Sequence, residues 1–465
     1  MVSARRSLSS KPSQSPVPAD PEPLTQLNPN AAGIDLGADI HWVCVPPGRD
    51  EVSVRSFGCC TPDLQAMAEW LTHCGVTSVA MEATGVYWIP VFQILETAGF
   101  EVCLMNPHLA RIVPGRKSDV QDCQWYQQLH SYGLLAGSFR PEDQVCVLRS
   151  YLRHRETLVQ SRSSHVQRMH KALTQMNLQL HRVISDVTGL TGMAIIRAIV
   201  AGERDPQVLV GHKHPYIRCS DERLIAALTG DYRPEHVFVL SQELALYDLY
   251  ETQIRACDEQ VQQCLATFAD QSDDLPPLPP RPAGRRTSRC APEMDLRDEL
   301  YRISGVDFTT MDGLEVLTVQ TILSEVGLDP TRFPSEKHFA SWLGLCPGNH
   351  ITGGKVKSGR TRKVNNRAAR AFHLAAQSVS RSQTALGAFY RRIRARLGGP
   401  KAMTATAHKI ARLFYRLWTS GEPYQDPGAD AYEQRYQQRR LKHLKKKAAD
   451  LGFELVPKVP AEVVS

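Results

Sequence analysis

The feature that most constrains the fold is an alternation of short apolar runs with amphipathic stretches between residues 31 and 145. The runs AAGIDLGADIHWVCVPP, EVSVRSFG, VTSVAMEAT and FEVCLMN are typical of strands. The stretches TPDLQAMAEWLTHCG, VYWIPVFQILETAG and SDVQDCQWYQQLHSYGLL carry apolar residues at helical spacing. Several strands in succession, followed by an alternation of helices and strands, predict an α/β domain with a mixed sheet.

The rest of the chain has the pattern of helices. Apolar residues recur every three, four or seven positions from Leu148 to Leu180 and from Leu246 to Leu265, which predicts a two-helix antiparallel coiled coil, with dimerisation as its expected use. Further on, a glycine turn between helices and two helices with a basic side predict a mainly helical domain. The predicted divisions are a disordered tail at 1–30, the α/β domain at 31–145, the helical coiled-coil region at 146–268, a proline- and arginine-rich linker at 269–294, the helical domain at 295–421 and a basic tail at 422–465.

Composition excludes several protein classes. No window reaches the eighteen or more apolar residues of a membrane helix, and the first thirty residues lack the apolar core of a signal peptide. The twelve cysteines include no C-x-x-C pair, so neither a zinc site nor a disulfide framework is expected. These features predict a soluble, cytoplasmic protein with reduced thiols and no membrane partner.

Charge is distributed unevenly along the chain. The net charge is only +7, but the interval between Glu336 and Glu422 holds 17 lysines and arginines and no acidic residue. A stretch that carries only positive charge favours a phosphate partner, and therefore nucleic acid. An ordinary solvent-exposed surface would mix positive and negative charges.

Four carboxylates of the α/β domain are candidates for chemistry. Asp35 lies inside the apolar strand GIDLG, where an acid is costly unless it is paired, hydrogen-bonded or bound to a cation. Glu82 ends a later strand, and Asp119 and Asp122 are spaced i, i+3 on one helix face. Each acid alone is more often a cap or an ion-pair partner. Together they favour a site for Mg²⁺ or Mn²⁺ of the kind that activates oxygens at a phosphodiester.

These motifs also carry a family resemblance. In their order along the chain, GIDLG, MEATGVYW, GRKSDVQD and FASWLGLCPGNHITGGKVKSGRTRKVNNRAAR resemble the DEDD transposases of insertion-sequence family one-hundred-ten. The resemblance implies a RuvC-like, ribonuclease-H-type N-terminal domain, a coiled-coil connection and a C-terminal transposase domain. It also implies a metal-binding tetrad at Asp35, Glu82, Asp119 and Asp122, and a bridge RNA that pairs with donor and target DNA.

The family places a nucleophilic serine directly before a glycine in its C-terminal domain, and here Thr352 stands at that point. Threonine also offers a hydroxyl, although its methyl group crowds in-line attack. We therefore expect Thr352 to be the nucleophile, with Ser358 or an impaired site as the alternatives. The basic residues expected to hold phosphates are Lys355, Lys357, Arg360, Arg362, Lys363 and Arg367.

The sequence thus predicts a DNA transposase with a divalent-metal tetrad and a hydroxyl nucleophile. Because the tetrad and Thr352 are more than two hundred residues apart in the chain, a composite site within a homo-oligomer, a dimer or a tetramer, is expected. Two other classes remain open: a metal-dependent junction-resolving nuclease that uses water, and a nucleic-acid-binding relative without catalysis.

Overall fold

The computed structural model describes residues 25–83, 85–106, 118–271, 275–280, 291–362 and 364–456. The chain divides into two compact units, Met1–Arg140 and Pro141–Ser465. No helix of the described ranges is long and apolar enough to cross a membrane. The predicted tail at 1–30 lies outside the described residues as far as residue 24, and so do residues 272–274 and 281–290 of the predicted linker.

The first unit is built on a five-stranded mixed sheet, as the sequence predicts. Its strands are β1 (Ala31–Leu36), β2 (Ile40–Cys44), β3 (Val54–Gly58), β4 (Ser78–Glu82) and β5 (Glu101–Met105). The spatial order is β3-β2-β1-β4-β5, in which β2 is antiparallel to both neighbours and β1, β4 and β5 are mutually parallel. This topology is that of a ribonuclease-H-like α/β domain.

Helices cover the two faces of the sheet unequally. Helices α1 (Thr61–His73) and α2 (Trp88–Thr97) pack on the side to which Ile34 and Met81 point, and there they form the main apolar core. Because side chains alternate along a strand, Gly33 and Asp35 point to the opposite side. Helix α3 (Asp119–Ser131) lies against β1 on that side.

Gly33 determines how closely helix α3 approaches β1. A Cβ atom at this position would lie 2.2 Å from the backbone nitrogen of Gln127 and 2.3 Å from the carbonyl oxygen of Cys123. Both atoms belong to the helix backbone, so no side-chain rotation could relieve the overlap. The helix is therefore held against the strand by direct backbone packing.

We predict that Gly33→Ala displaces α3 from the sheet. Overpacking of a filled core costs about 1–3 kcal/mol, and the loss should appear as a lower free energy of unfolding in urea. Gly48→Ala is the matched control for the loss of a glycine, because its Cβ would meet nothing within 4 Å, although its φ of 79° adds some backbone strain. Equal stability of Gly33→Ala and the parent protein would contradict this account of the packing.

The second unit begins with two long antiparallel helices, α4 (Asp143–Gln175) and α9 (Pro234–Ala266). Arg155 and His165 on α4 bind Asp258 and Glu243 on α9, with 2.6 Å between His165 Nδ1 and Glu243 Oε2. These buried polar pairs favour one register of the two helices. The short helices between them, with their own apolar core, are α5 (Leu180–Val183), α6 (Leu190–Val200), α7 (Pro206–Val210) and α8 (Asp221–Leu228).

The C-terminal part is mainly helical, as the sequence predicts. Its helices are α10 (Leu296–Ser304), α11 (Val316–Val326), α12 (Glu336–Trp342), α13 (Arg367–Val379), α14 (Ala385–Leu397), α15 (Gly399–Ser420) and α16 (Gly428–Asp450). Phe339, Phe372 and Phe414 are fully buried and pack ring to ring where α12, α13 and α15 meet. Helix α14 and a hairpin of β6 (His350–Thr352) and β7 (Lys355–Ser358) were not among the predicted elements.

Candidate active site

Asp35 and Glu82 lie at the same edge of the sheet. The neighbouring parallel strands β1 and β4 pair Ile34 with Met81, and Asp35 and Glu82 are the next residue on each strand. Their side chains therefore share a face and stand near the carboxyl ends of both strands, where α/β sheets form their sites. Both residues are half-buried.

Asp119 and Asp122 occupy the first turn of helix α3. Ser118 caps this helix, and its hydroxyl accepts a hydrogen bond of 3.4 Å from the backbone N–H of Gln121. The positive end of the helix dipole stabilises acidic groups in a first turn. Because α3 packs on the face of β1 to which Asp35 points, the helix brings its two carboxylates toward the sheet edge.

The pKa of Asp35 reflects its burial and the acidic groups around it. Burial, followed by the charges of Asp119, Asp122 and Glu82, raises the pKa of Asp35 from 3.8 to about 7. Since Asp35 has no salt bridge within the described part of the chain, the folded state holds a carboxylate that is poorly neutralised above that pH. Stability contributed by this carboxyl group is present at low pH and is lost as the pH rises through about 7.

The chemical type of these side chains suits a divalent cation, but their placement does not form a metal site. Among the described residues, no group of three or more histidine, cysteine or carboxylate side chains is arranged so that it could hold a metal ion. After burial, the charges of Asp119, Asp122 and Glu82 raise the pKa of Asp35, so these three carboxylates repel it. Carboxylate oxygens are the ligands that Mg²⁺ and Mn²⁺ prefer, and such a cation would remove the repulsion.

Tyr126 joins this group, although it was not recognised in the sequence. It is 4% exposed, and its hydroxyl donates a hydrogen bond to Glu82 Oε1. Burial and the Glu82 carboxylate raise the pKa of Tyr126, so the phenol stays protonated as a donor. The spacing of Asp119, Asp122 and Tyr126 (i, i+3, i+7) could have indicated it, because these positions share one helix face. The hydrogen bond from Tyr126 restrains the orientation of the Glu82 carboxylate.

We predict that Tyr126→Phe lowers activity without abolishing it. Removing the hydroxyl leaves Glu82 without this donor, and loss of such an outer partner costs about 10–100-fold in metal affinity or activity. The variant should therefore need a higher Mg²⁺ concentration for half-maximal occupancy of the carboxylate group. Tyr132→Phe, at the C-cap of the same helix, is the matched control. An unchanged Mg²⁺ dependence in Tyr126→Phe would show that Tyr126 only fills space.

Thr352 is the last residue of β6, directly before the hairpin turn. Gly353 and Gly354 form this two-residue turn with φ values of 56° and 73°, and Thr352 pairs with Lys355 across it. Positive φ at both central residues is the geometry of a type I′ turn, which favours glycine. The side chain of Thr352 is exposed, so its hydroxyl is accessible from solvent.

Ser358 has a different environment. It is half-buried on β7, and its Oγ accepts a hydrogen bond of 3.3 Å from the backbone N–H of Arg360. Its hydroxyl oxygen is engaged where the hairpin ends, whereas Thr352 stands beside the turn at the other end.

The predicted phosphate-binding residues differ in their availability. Lys355 and Lys357 are exposed on β7, and Arg360 is exposed just beyond it. Arg362 donates a 2.7 Å hydrogen bond to the carbonyl oxygen of Ser341, and Arg367 forms an ion pair with Glu156. Lys363, the remaining predicted residue, lies outside the described residues.

Comparisons with known proteins match two separate stretches of the chain. A transposase family model of the DEDD type, named for IS110 elements, matches residues 32–178. A model described as the transposase IS116/IS110/IS902 family matches residues 307–391. The chain is also 34% identical over 110 residues to the "Putative transposase y4pF/y4sB" of Sinorhizobium fredii (strain NBRC 101917 / NGR234). That match covers 22% of this chain and 28% of the relative.

Proposed function

We propose that this chain, which belongs to the IS110 family of transposases, cuts DNA strands and rejoins them through a covalent link to Thr352. Transposases act on DNA, and the acid-free basic stretch between Glu336 and Glu422 suits such a substrate. Asp35, Glu82, Asp119 and Asp122 would hold Mg²⁺ or Mn²⁺, with Tyr126 orienting Glu82.

The observation that carries this proposal is the crowding of four carboxylates at one sheet edge. Two of them lie at or next to the carboxyl ends of parallel strands, and two come from a helix packed on that face through Gly33. A fold that needed only stability would gain nothing from three acids that repel the half-buried Asp35. Divalent cations, when bound, stabilise the developing charge on the attacking and leaving oxygens of a phosphodiester.

The step assigned to Thr352 balances without another reactant. Its hydroxyl oxygen forms a bond to phosphorus, the bond from phosphorus to a deoxyribose oxygen breaks, and the proton ends on that leaving oxygen. One phosphoester replaces another, so the reverse attack by a DNA hydroxyl can rejoin strands without external energy. The exposure of Thr352 beside a glycine turn supports its role, because it lets a strand approach closely.

The proposal also includes a guide RNA, which the family resemblance implies, and a homo-oligomer, which the distance along the sequence between the tetrad and Thr352 suggests. A bridge RNA would pair with donor and target DNA, so the protein would not need to read both sequences itself. A homo-oligomer would combine carboxylates and Thr352 from different chains into a composite site.

The test is strand transfer by the purified full-length protein with donor DNA, target DNA and RNA transcribed from the segments flanking the gene. We expect recombinant junctions and a protein–DNA adduct that resists detergent, both dependent on Mg²⁺ and on the RNA. Cleavage without an adduct would favour the water-using nuclease. DNA binding without cleavage would favour a non-catalytic relative, and junctions formed without RNA would remove the guided part of the proposal.

A further inference from the structure

A wide cleft lies between the base of the β6–β7 hairpin and helices α14 and α15. Its volume is about 1210 Å³, which exceeds the 300–1,000 Å³ typical of small-molecule sites. One wall is formed by Pro347 and residues 359–361. Pro347 pairs with Thr361 in an antiparallel β-bridge, and the backbone N–H of Gly348 donates a 2.8 Å hydrogen bond to the carbonyl oxygen of Arg360. The cleft is therefore continuous with the hairpin that carries Thr352.

The polar lining of this cleft is basic. None of its lining residues is acidic, and five are lysine or arginine. Glu336, just outside the lining, binds both Arg412 and Arg416, with 2.5 Å between Arg416 Nε and Glu336 Oε2. Arg360 and Lys401 are exposed and form no ion pair within the described residues. These two cations are available for an anionic ligand.

The remainder of the lining is largely apolar. Leu345, Phe389 and Leu413 contribute to it, and Leu397 is 44% exposed at its edge. The Phe389 ring packs against the ammonium group of Lys409, whose Nζ lies 4.4 Å from the ring centre. A lining that combines free cations with an aromatic face matches an unpaired polynucleotide, whose phosphates need charge and whose bases need apolar contact.

We propose that this cleft binds an unpaired segment of the DNA strand that is cut or rejoined, with phosphates at Arg360 and Lys401 and bases against Phe389 and Leu397. This deepens the proposed function and rests on it for the identity of the polymer as DNA. The volume accommodates more than one nucleotide, and a concave lining does not suit an intact duplex. The cleft would hold a displaced strand beside the hairpin.

The test measures fluorescence anisotropy of full-length protein with a labelled oligodeoxythymidine of about ten nucleotides, a length within the usual range of single-strand sites. We expect the double variant Arg360→Ala/Lys401→Ala to bind at least about tenfold more weakly. The slope of log affinity against log salt should fall by about 1.4, because each phosphate contact on a single strand contributes about 0.7. Leu397→Glu, which places a carboxylate at the edge, should also weaken binding.

The matched control is Lys442→Ala/Lys446→Ala, which removes the same charge from exposed positions on α16. A loss equal to that of the cleft variant would overturn the proposal, as would equal loss of binding to a duplex of the same length. The same measurement is made with an RNA oligonucleotide of equal length. If this RNA binds in a cleft-dependent way and the oligodeoxythymidine does not, the assignment to DNA is overturned. Thr352→Ala should keep full oligonucleotide binding, so failure of the nucleophile and failure of the cleft are distinguishable.

Discussion

Asp35→Asn is expected to lower the rate of strand transfer by at least about a thousandfold. In the proposed mechanism, a cation held by the carboxylates would supply several kcal/mol of transition-state stabilisation, and each 1.36 kcal/mol is a factor of ten in rate. Asparagine has nearly the shape of aspartate but lacks its charge, so the tetrad would lose a negatively charged ligand without a change of packing. The measurement is single-turnover strand transfer at saturating Mg²⁺.

The control for this variant is Asp39→Asn, an exposed acid in the turn between β1 and β2, which should leave the rate unchanged. Thermal melting supplies a second readout. Because the other three carboxylates repel Asp35, metal-free Asp35→Asn should melt at a higher temperature than the parent, and added Mg²⁺ should narrow the difference. Strand transfer at the parental rate by Asp35→Asn would refute the tetrad.

Thr352→Ala is expected to abolish the covalent protein–DNA adduct and to lower strand transfer by at least about 10⁴-fold, as loss of a nucleophile does in other enzymes. The exposed side chain contributes little to the hairpin, so folding and DNA binding should persist. Thr352→Ser keeps the hydroxyl and removes the methyl group that crowds in-line attack. It should therefore retain activity at the parental level or above, measured as adduct formed per turnover.

Ser358→Ala tests the alternative nucleophile on the same hairpin. The engaged hydroxyl of Ser358 leads us to expect near-parental adduct formation in this variant. If Ser358→Ala loses the adduct while Thr352→Ala keeps it, the assignment of the two residues is reversed. If Thr352→Ala still cleaves DNA without an adduct, the enzyme uses water and is a nuclease.

Much of the first unit could be predicted from the sequence because both of its periodicities are strong. The alternation in AAGIDLG and VTSVAMEAT and the helical spacing in SDVQDCQWYQQLHS correspond to β1, β4 and α3. The backbone contact at Gly33 could not be predicted, because a glycine in a strand does not indicate which element approaches it. The bond from Tyr126 to Glu82 also depends on tertiary packing that joins residues 44 positions apart.

The β6–β7 hairpin was missed for a different reason. Its strands have three and four residues, too short for periodicity to distinguish from a basic loop. Local turn chemistry was the available signal, because two adjacent glycines flanked by Thr352 and Lys355 favour a type I′ hairpin. Helix α14 was also missed, although its apolar residues recur at the helical spacing that would have predicted it, at Leu386, Tyr390, Ile393 and Leu397.

The paired helices α4 and α9 act as a spacer of defined length. Each has 33 residues, or about 50 Å at 1.5 Å per residue, and the first turns of α4 are anchored to α11, where Arg149 donates a 2.9 Å hydrogen bond to the carbonyl oxygen of Ser324. Two helices locked in one register resist bending more than one helix does. The paired helices consequently keep the small bundle of α5 to α8 at a constant distance from the C-terminal helices.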